Sequence, residues 1–471
     1  MEKRMRTHDD DNTIKQPEIA TQKKPMTEEK KQKIPDHQKE DRISNMPDAI
    51  LHHIISLVPF TCAVRTSILS KRWEGLWEST SAYTTTLDFG REFATSVSLP
   101  LHLLTCAINR ILQKHRGKTI ETFRLYFCPQ NMFLPHIQRW ILFAKKKTVR
   151  ELDLDFTPFQ TTCQDLGLRL YELPPCLFSC HSLTILKLSD CKFNLPSPFR
   201  GFSSLKTLHL IRVEITPYAL DSMLLKCPML EDLSLMVCYC SKQPFELSAT
   251  NLKIKSFALT GYNSLGNVGS FLSKLAPHLQ ILTICHVKIQ DFNVQGHENA
   301  PGNSPIAFPN LIELHLGVCN GSSLAAVYAF FKNWNFPCLE KLMLEWIPDN
   351  LRESNKMVQQ ASFVFHHLKT IKINRFFGTE KQMQMVKFLL EKAVALETMV
   401  LVIPTEDIKV SPRNDYISQA KSKVARLRLL HEQLLLLSKE STNARFVLKN
   451  HTEDDDSVLA THYRYQRSLL S

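Results

Sequence analysis

No run of 18 apolar residues occurs anywhere in this sequence, so no segment reads as a membrane-crossing helix. The first 40 residues hold no apolar core of the signal-peptide kind. There is no phosphate-cradling G-x-x-x-x-G-K loop, no H-E-x-x-H helix and no G-x-S-x-G elbow. Those absences remove common signatures of nucleotide, metalloprotease and hydrolase chemistry. The 13 cysteines form no C-x-x-C pair, and the tightest spacings are Cys176 to Cys180 and Cys238 to Cys240. An odd number of thiols without metal-ligand spacing points to reduced cysteines of an intracellular protein rather than to zinc or disulfides. His52-His53 and His366-His367 are adjacent pairs, which point in different directions on a helix or strand. No metal, cofactor or catalytic residue is assigned.

What is present is a chain of 471 residues, 44% apolar, with a formal net charge of +12. The length suits an elongated repeat array with small appendages better than one compact domain. The positive charge permits an acidic partner and does not by itself point to nucleic acid. Residues 1–40 mix basic and acidic side chains with Gln, Thr and Pro and show no apolar periodicity, which predicts a disordered tail. Lys23-Lys24 and Lys30-Lys31 with Lys33 also read as a split nuclear import signal, beside the plainer reading of a solvated charged tail. The expected location is intracellular, in the nucleus, the cytoplasm or both.

Residues 41–80 read DRISNMPDAILHHIISLVPFTCAVRTSILSKRWEGLWEST. Pro47 suits a first helical turn, Ser44 and Asn45 are cap candidates, and Asp48 favours a helix N-terminus. Ile50, Leu51, Ile54, Leu57 and Val58 then make one broad apolar face, and Pro59 ends that helix. Val64, Ile68 and Leu69 make a second face. Ser70 can cap a third helix carrying Trp73, Leu76 and Trp77. Three helices this short cannot bury so much apolar surface among themselves. They either cap the array behind them or offer a docking surface for another protein's helices.

The residues Asp41-Arg42-Ile43-Ser44, Met46-Pro47-Asp48, Ile50-Leu51, Ile54-Ile55-Ser56, Pro59, Thr66 to Trp73 and Leu76-Trp77 resemble an F-box of the plant type. Met46 stands where that family has leucine. Phe60-Thr61-Cys62 stands where it often has Thr-Lys and a small residue. An F-box docks on a Skp-type adaptor, which joins a cullin and a RING subunit. The resemblance therefore implies adaptor contacts from Met46, Pro47, Ile50, Leu51, Ile54, Leu57, Val64, Ile68 and Trp73.

From residue 84 onward the template L-x-x-L-x-L recurs, a short strand whose leucines point into a stack. Clear copies start at Leu183, Leu205, Leu230, Leu279, Leu311, Leu339 and Leu368, and weaker ones at Ile120, Val149, Ile254 and Leu396. The ninth position of several copies holds Cys191, Cys238, Cys319, Val213 or Val287, a site that takes Asn or Cys in this repeat class. Amphipathic segments at 220–226, 271–275, 324–331 and 385–390 read as helices. Pro228, Pro277 and Pro337 set the turn into the next strand. Long loops are expected at 261–269 and 295–305.

Residues 362–403 resemble the FBD region of many plant F-box proteins. The likeness rests on Leu368, Ile371, Ile373, Phe376, Gly378, Val386-Lys387-Phe388-Leu389-Leu390 and Leu396-Glu397. Lys392-Ala393-Val394 replaces the usual Asn-Ala-Pro, and the block also fits two more repeats. The expected fold is α/β: a short three-helix F-box at 41–80, then an irregular leucine-rich-repeat solenoid (a horseshoe) over 84–361. The FBD-like region and last repeats follow at 362–403. A C-terminal capping helix within 404–449, with a closing strand at 444–448, covers the end of the stack. Residues 450–471 are expected to be disordered.

By resemblance, such a chain is a non-catalytic substrate receptor of an SCF-type ubiquitin ligase, holding an unknown protein target on its repeats. Strand residues Lys187, His209, Ser234, Thr283, His315, Met343 and Lys372 alternate with the inward leucines and are expected on the concave face as candidate target contacts. The alternative is that they are ordinary solvated sheet positions. A repeat scaffold without ligase function and a small-molecule-dependent receptor are the competing function classes.

Overall fold

The computed structural model describes residues 43, 45–58, 60–97, 99–158, 170–238, 252–261, 268–285, 306–319, 324–347, 363–404, 432 and 444–450. The two charged tails (1–40 and beyond 450), Ser44, Pro59, Val287, the loop expected at 295–305 and, apart from Glu432, the capping helix lie outside the described residues. The chain divides into two compact units, Met1–Ile50 and Leu51–Ser471. In the first, the Met46 N–H donates to the Ile43 carbonyl at 3.1 Å, and helix α1 (Asp48–Leu57) begins directly after Pro47.

In the second unit, helices α2 (Phe60–Thr66) and α3 (Lys71–Ser81) follow the body of α1. Ser70 is the N-cap of α3, its side chain accepting from the Trp73 N–H at 3.4 Å. Ile68 and Leu69, read from the sequence as part of a helical face, lie instead in the turn between α2 and α3. His52 is tied to α3 through Thr80, with Nδ1 and Oγ1 2.6 Å apart.

Strand β1 (Thr86–Phe89) opens a 13-stranded parallel sheet. It continues through β2 (Thr122–Tyr126), β3 (Glu151–Asp155), β5 (Ile185–Ser189), β7 (Thr207–Ile211), β9 (Asp232–Met236) and β10 (Ser256–Thr260). It ends with β11 (Ile281–Cys285), β13 (Glu313–Cys319), β15 (Lys341–Ile347), β16 (Thr370–Asn374), β17 (Thr398–Ile403) and β18 (Arg445–Asn450). Two small ribbons run beside it: β4 (Tyr171–Glu172), β6 (Cys191–Phe193) and β8 (Glu214–Ile215) in one, β12 (Ile306–Ala307) and β14 (Trp334–Asn335) in the other.

In every copy of the leucine template the last two apolar residues lie on a strand of the long sheet, and the first stands just before it. β1 is not legible in this way, because Thr84 stands where the template has its first leucine. Leu152, Leu186, Leu208, Leu233, Phe257, Leu282, Leu314, Leu342 and Ile371 stand in one register row and are fully buried. Each such side chain contributes about 1.5–3 kcal/mol of apolar burial. The closing strand appears where residues 444–448 predict it, as β18 paired parallel to β17.

The connecting helices are α4 (Arg91–Val97), α5 (Leu101–Lys114), α6 (Leu134–Lys146), α7 (Pro217–Lys226), α8 (Val268–Leu275), α9 (Leu324–Asn333) and α10 (Glu380–Lys392). They pack over the inward row. Phe271 of α8, for example, stands 5.1 Å from Phe257 of β10, centroid to centroid. At the first strand, Phe60 of α2 meets Phe89 of β1 edge-on at 5.4 Å and Phe93 of α4 at 5.8 Å. Arg110 of α5 bonds Glu74 and Glu78 of α3 at 3.1 and 2.5 Å. The inner side of these helices therefore does cap the array.

In the FBD-like block, Thr379 and Gln382 form a reciprocal capping box at the start of α10. The buried Gln382 amide also accepts from the Phe377 N–H at 2.7 Å and donates to the Arg375 carbonyl at 3.0 Å. One side chain thus holds the whole turn between β16 and α10.

Several strands end in a residue of left-handed conformation that passes its N–H to the next strand. Asp190 (φ 55°) donates to the Ile211 carbonyl at 3.0 Å and Arg212 (φ 50°) to Met236 at 2.8 Å. Gly261 (φ 110°) occupies the corresponding place after β10, donating to Cys285 at 3.1 Å. A Cβ on Gly261 would come 2.8 Å from the Val237 Cα. We expect Gly261→Ala to lower stability by about 1–3 kcal/mol in chemical denaturation. An unchanged midpoint would contradict this account of the turn.

Candidate functional site

The helices at 48–81 present two faces. Leu51, Ile55, Ala63, Trp73, Leu76 and Trp77 are buried. Ile54, Leu57, Ile68 and Leu69 are exposed, Leu57 at 71% and Ile68 at 84%. The first two lie on α1 and the last two in the turn between α2 and α3. Of the nine candidate adaptor contacts, Ile54, Leu57 and Ile68 stand on this face, and Val64 is half-buried beside it in sequence. In the first unit, Pro47 and Ile50 are exposed and Met46 is half-buried. Leu51 and Trp73, two further candidates, are buried, their side chains packed inward on α1 and α3. Leu69 and Ile43, absent from the candidate set, are exposed.

The seven candidate target contacts do share one register row of the sheet's outward face, as their alternation with the leucines predicts. Their expected openness to solvent does not hold. His209, Ser234, Thr283, His315, Met343 and Lys372 are all buried, and only Lys187 keeps part of its side chain in water. Same-row neighbours in a sheet stand about 4.8 Å apart and shield one another. The row beside them carries Ile211, Met236, Thr260 and Cys285, which are buried as well. His209 bonds Asp232 at 3.2 Å and His315 bonds Glu313 at 2.7 Å. The hydroxyls of Ser234 and Thr283 are buried without a hydrogen-bond partner.

Toward β1 the outward face becomes a charge ladder. Arg124 bonds Asp88 at 3.1 Å and Glu151 at 3.3 Å, and Lys187 bonds the same Glu151 at 3.1 Å. These two cations hold Glu151 below the usual carboxylate range against the opposing cost of its burial. Asp153 stands in register between Arg124 and Lys187, yet both cations are engaged by Glu151. Burial, reinforced by Asp155 and Glu151, pushes the Asp153 carboxyl up from 3.8 to about 7. Sequence spacing gives no sign of this group, because its environment is built by three strands distant in the chain.

The described cysteines are free thiols. Burial pushes Cys227 up to about 11 and Cys180 up to about 12, and the buried Cys191 thiol is raised as well. Thiols so protonated are packing residues rather than nucleophiles. Among the described residues no helix is long and apolar enough to cross a membrane.

Family models match three stretches of this chain. The F-box domain matches residues 43–84, and FBD matches 364–401. The model described as FBD-associated F-box protein At5g56370, LRR repeats, matches 137–286. Among similar proteins, F-box/FBD/LRR-repeat protein At1g13570 of Arabidopsis thaliana is 32% identical over 45% of this chain and 47% of its own length. FBD-associated F-box protein At4g10400 of the same plant is 37% identical over 41% and 44%. F-box/FBD/LRR-repeat protein At5g56420, also from Arabidopsis, is 26% identical over 77% of this chain and 91% of its own length. The alignment thus spans about half the length of the first two relatives. The chain carries an F-box, leucine-rich repeats and an FBD region, the domain set of plant F-box/FBD/LRR-repeat proteins, and no enzymatic domain is indicated.

The raised Asp153 pKa has a definite sign for stability. A carboxyl that binds its proton more tightly in the folded chain stabilises fully below about pH 4, and that contribution is lost as pH rises through about 7. Asp153→Asn should therefore stabilise the protein at pH 8 by about 1–2 kcal/mol, a figure reduced from the full shift because Asp153 keeps part of its surface in water. Melting curves at pH 5 and pH 8 check this. The gap between variant and parent should shrink toward pH 5, and a gap that widens on acidification would contradict it.

Proposed function

We propose that this chain is the substrate-recognition subunit of an SCF-type ubiquitin ligase. The observation that carries this is the exposed apolar face of Ile54, Leu57, Ile68 and Leu69 on helices whose opposite side is already packed. It suits the helices of a Skp-type adaptor. The cullin and RING subunit would follow through the adaptor. The chain itself makes no bond. It holds a target lysine near a ubiquitin thioester on another protein, which is catalysis by effective concentration.

We read the repeat sheet as an irregular horseshoe closed by a helix from within 404–449, with the target on the array. The Phe60–Phe89–Phe93 contact and the Arg110–Glu78 bond support a stiff join between adaptor surface and array, so that proximity is not lost to flexing. The free thiols suit an intracellular setting, nucleus or cytoplasm. One observation favours a receptor that needs a small ligand: the buried, unpartnered Ser234 and Thr283 hydroxyls flank Ala258 in register and could be completed by a bound polar group.

The test is co-expression with a plant Skp-type adaptor. The parent chain should co-purify. The double change Leu57→Asp with Ile68→Asp should weaken association by at least about a hundredfold, two exposed anchors being lost together. Because both side chains are exposed, the melting temperature of the variant should stay that of the parent. Association that survives the double change would sink the proposed surface.

A further inference from the structure

An exposed helix face binds well only if the helix is held at the right angle. In the second unit, the part of α1 from Leu51 to Leu57 buries Leu51 and Ile55, four residues apart. Two side chains about one helical turn apart lie on a single line along the helix. Apolar burial is non-directional, so a helix seated on one such line is poorly fixed against rolling about its own axis. A roll of about 20° moves a side-chain tip at a radius of about 5–6 Å by about 2 Å. That shift spoils the fit of Ile54 and Leu57 to any preformed partner surface.

His52 supplies the missing direction. It follows Leu51, so its side chain leaves the helix about 100° round from the buried line. It is half-buried, and its Nδ1 lies 2.6 Å from Thr80 Oγ1 on α3. The Thr80 hydroxyl donates its one proton to the Leu76 carbonyl at 2.8 Å, so its oxygen accepts from His52 Nδ1–H. Ser79 Oγ stands 3.3 Å from His52 Nε2 and donates to the same Leu76 carbonyl at 2.9 Å. Both hydroxyls are therefore fixed to the backbone of α3 and meet the imidazole as rigid partners. α3 is in turn bonded to α5 through Glu74, Glu78 and Arg110. A hydrogen bond is directional where apolar contact is not, so this route of polar contacts carries orientation from the array to α1.

We propose that His52 is a positioning residue for adaptor docking: it sets the roll of α1 on α3, and so presents Ile54 and Leu57 at the angle the adaptor needs, without itself touching the adaptor. The inference rests on the docking function proposed above.

The experiment measures the affinity of the full-length chain for a purified plant Skp-type adaptor by biolayer interferometry, with amide exchange of the free chain beside it. His52→Ala should weaken association about three- to tenfold, the effect of losing one well-made hydrogen bond. It should also speed exchange at 51–57 in the free chain. His52→Asn should bring both readouts back to within about twofold of the parent, because the asparagine side-chain N–H can replace Nδ1–H. Rescue by this smaller side chain separates positioning from lost packing. Thr80→Val removes the acceptor with little change of shape and should match His52→Ala. The double change His52→Ala with Thr80→Val should bind no more weakly than either alone, since both remove one interaction. A parent that binds the adaptor while His52→Ala binds it equally well, or losses that add in the double change, or no rescue by asparagine, overturns the role given to His52 and leaves the docking function standing. A parent that does not bind the adaptor overturns the docking function and this role with it.

Discussion

A strand of this sheet has no stability of its own. Each five-residue strand buries its two inward side chains only because its neighbours place leucine, isoleucine or phenylalanine in register on either side. Its backbone groups likewise pair only with those neighbours. A stack built on that dependence has a vulnerable first and last strand. At the first strand the helices at 60–97 meet the need: Phe60, Phe89 and Phe93 form one aromatic cluster over the end of the leucine row. Just before and between these helices, Ile54 and Leu57 of α1 and Ile68 and Leu69 of the turn after α2 stay exposed. Closing the array and offering a surface are therefore two sides of one short helical unit.

The outward face of the sheet is not a uniform binding platform. Near β1 it is a ladder of neutralising charges, with Asp153 left over. From β7 to β16 its central row is buried, histidines are bonded to carboxylates, and small hydroxyls sit without partners. The central-row side chains from His209 to Lys372 are therefore not open surface, while Lys187 of β5 keeps part of its side chain in water.

Much of the architecture was legible because it is local and periodic. The leucine template marks strands, Ser70 marks a cap, and the helical stretches at 220–226, 271–275, 324–331 and 385–390 fall on helices. Helices α5 and α6 carry the same kind of periodic signal. Ile137, Trp140, Ile141 and Ala144 are spaced for one helical face, as are Leu104, Ile108, Ile111 and Leu112. Burial in the outward row was not legible at all. Whether Ser234 or Lys372 meets water depends on residues 20 or more positions away, brought beside it only by the sheet register. The inward turn of Leu51 and Trp73 has the same origin: family likeness names the motif, while packing decides which of its residues face out.

The account turns on the outer face of the first helices being the docking surface. Hydrogen–deuterium exchange on the full-length chain, alone and with a purified Skp-type adaptor, addresses it most directly. Slowed exchange on adding the adaptor should concentrate in α1, α2 and the turn at 67–69, with the repeat strands unchanged. Protection appearing in the repeat helices or along the sheet, with 48–69 exchanging as before, would contradict the account.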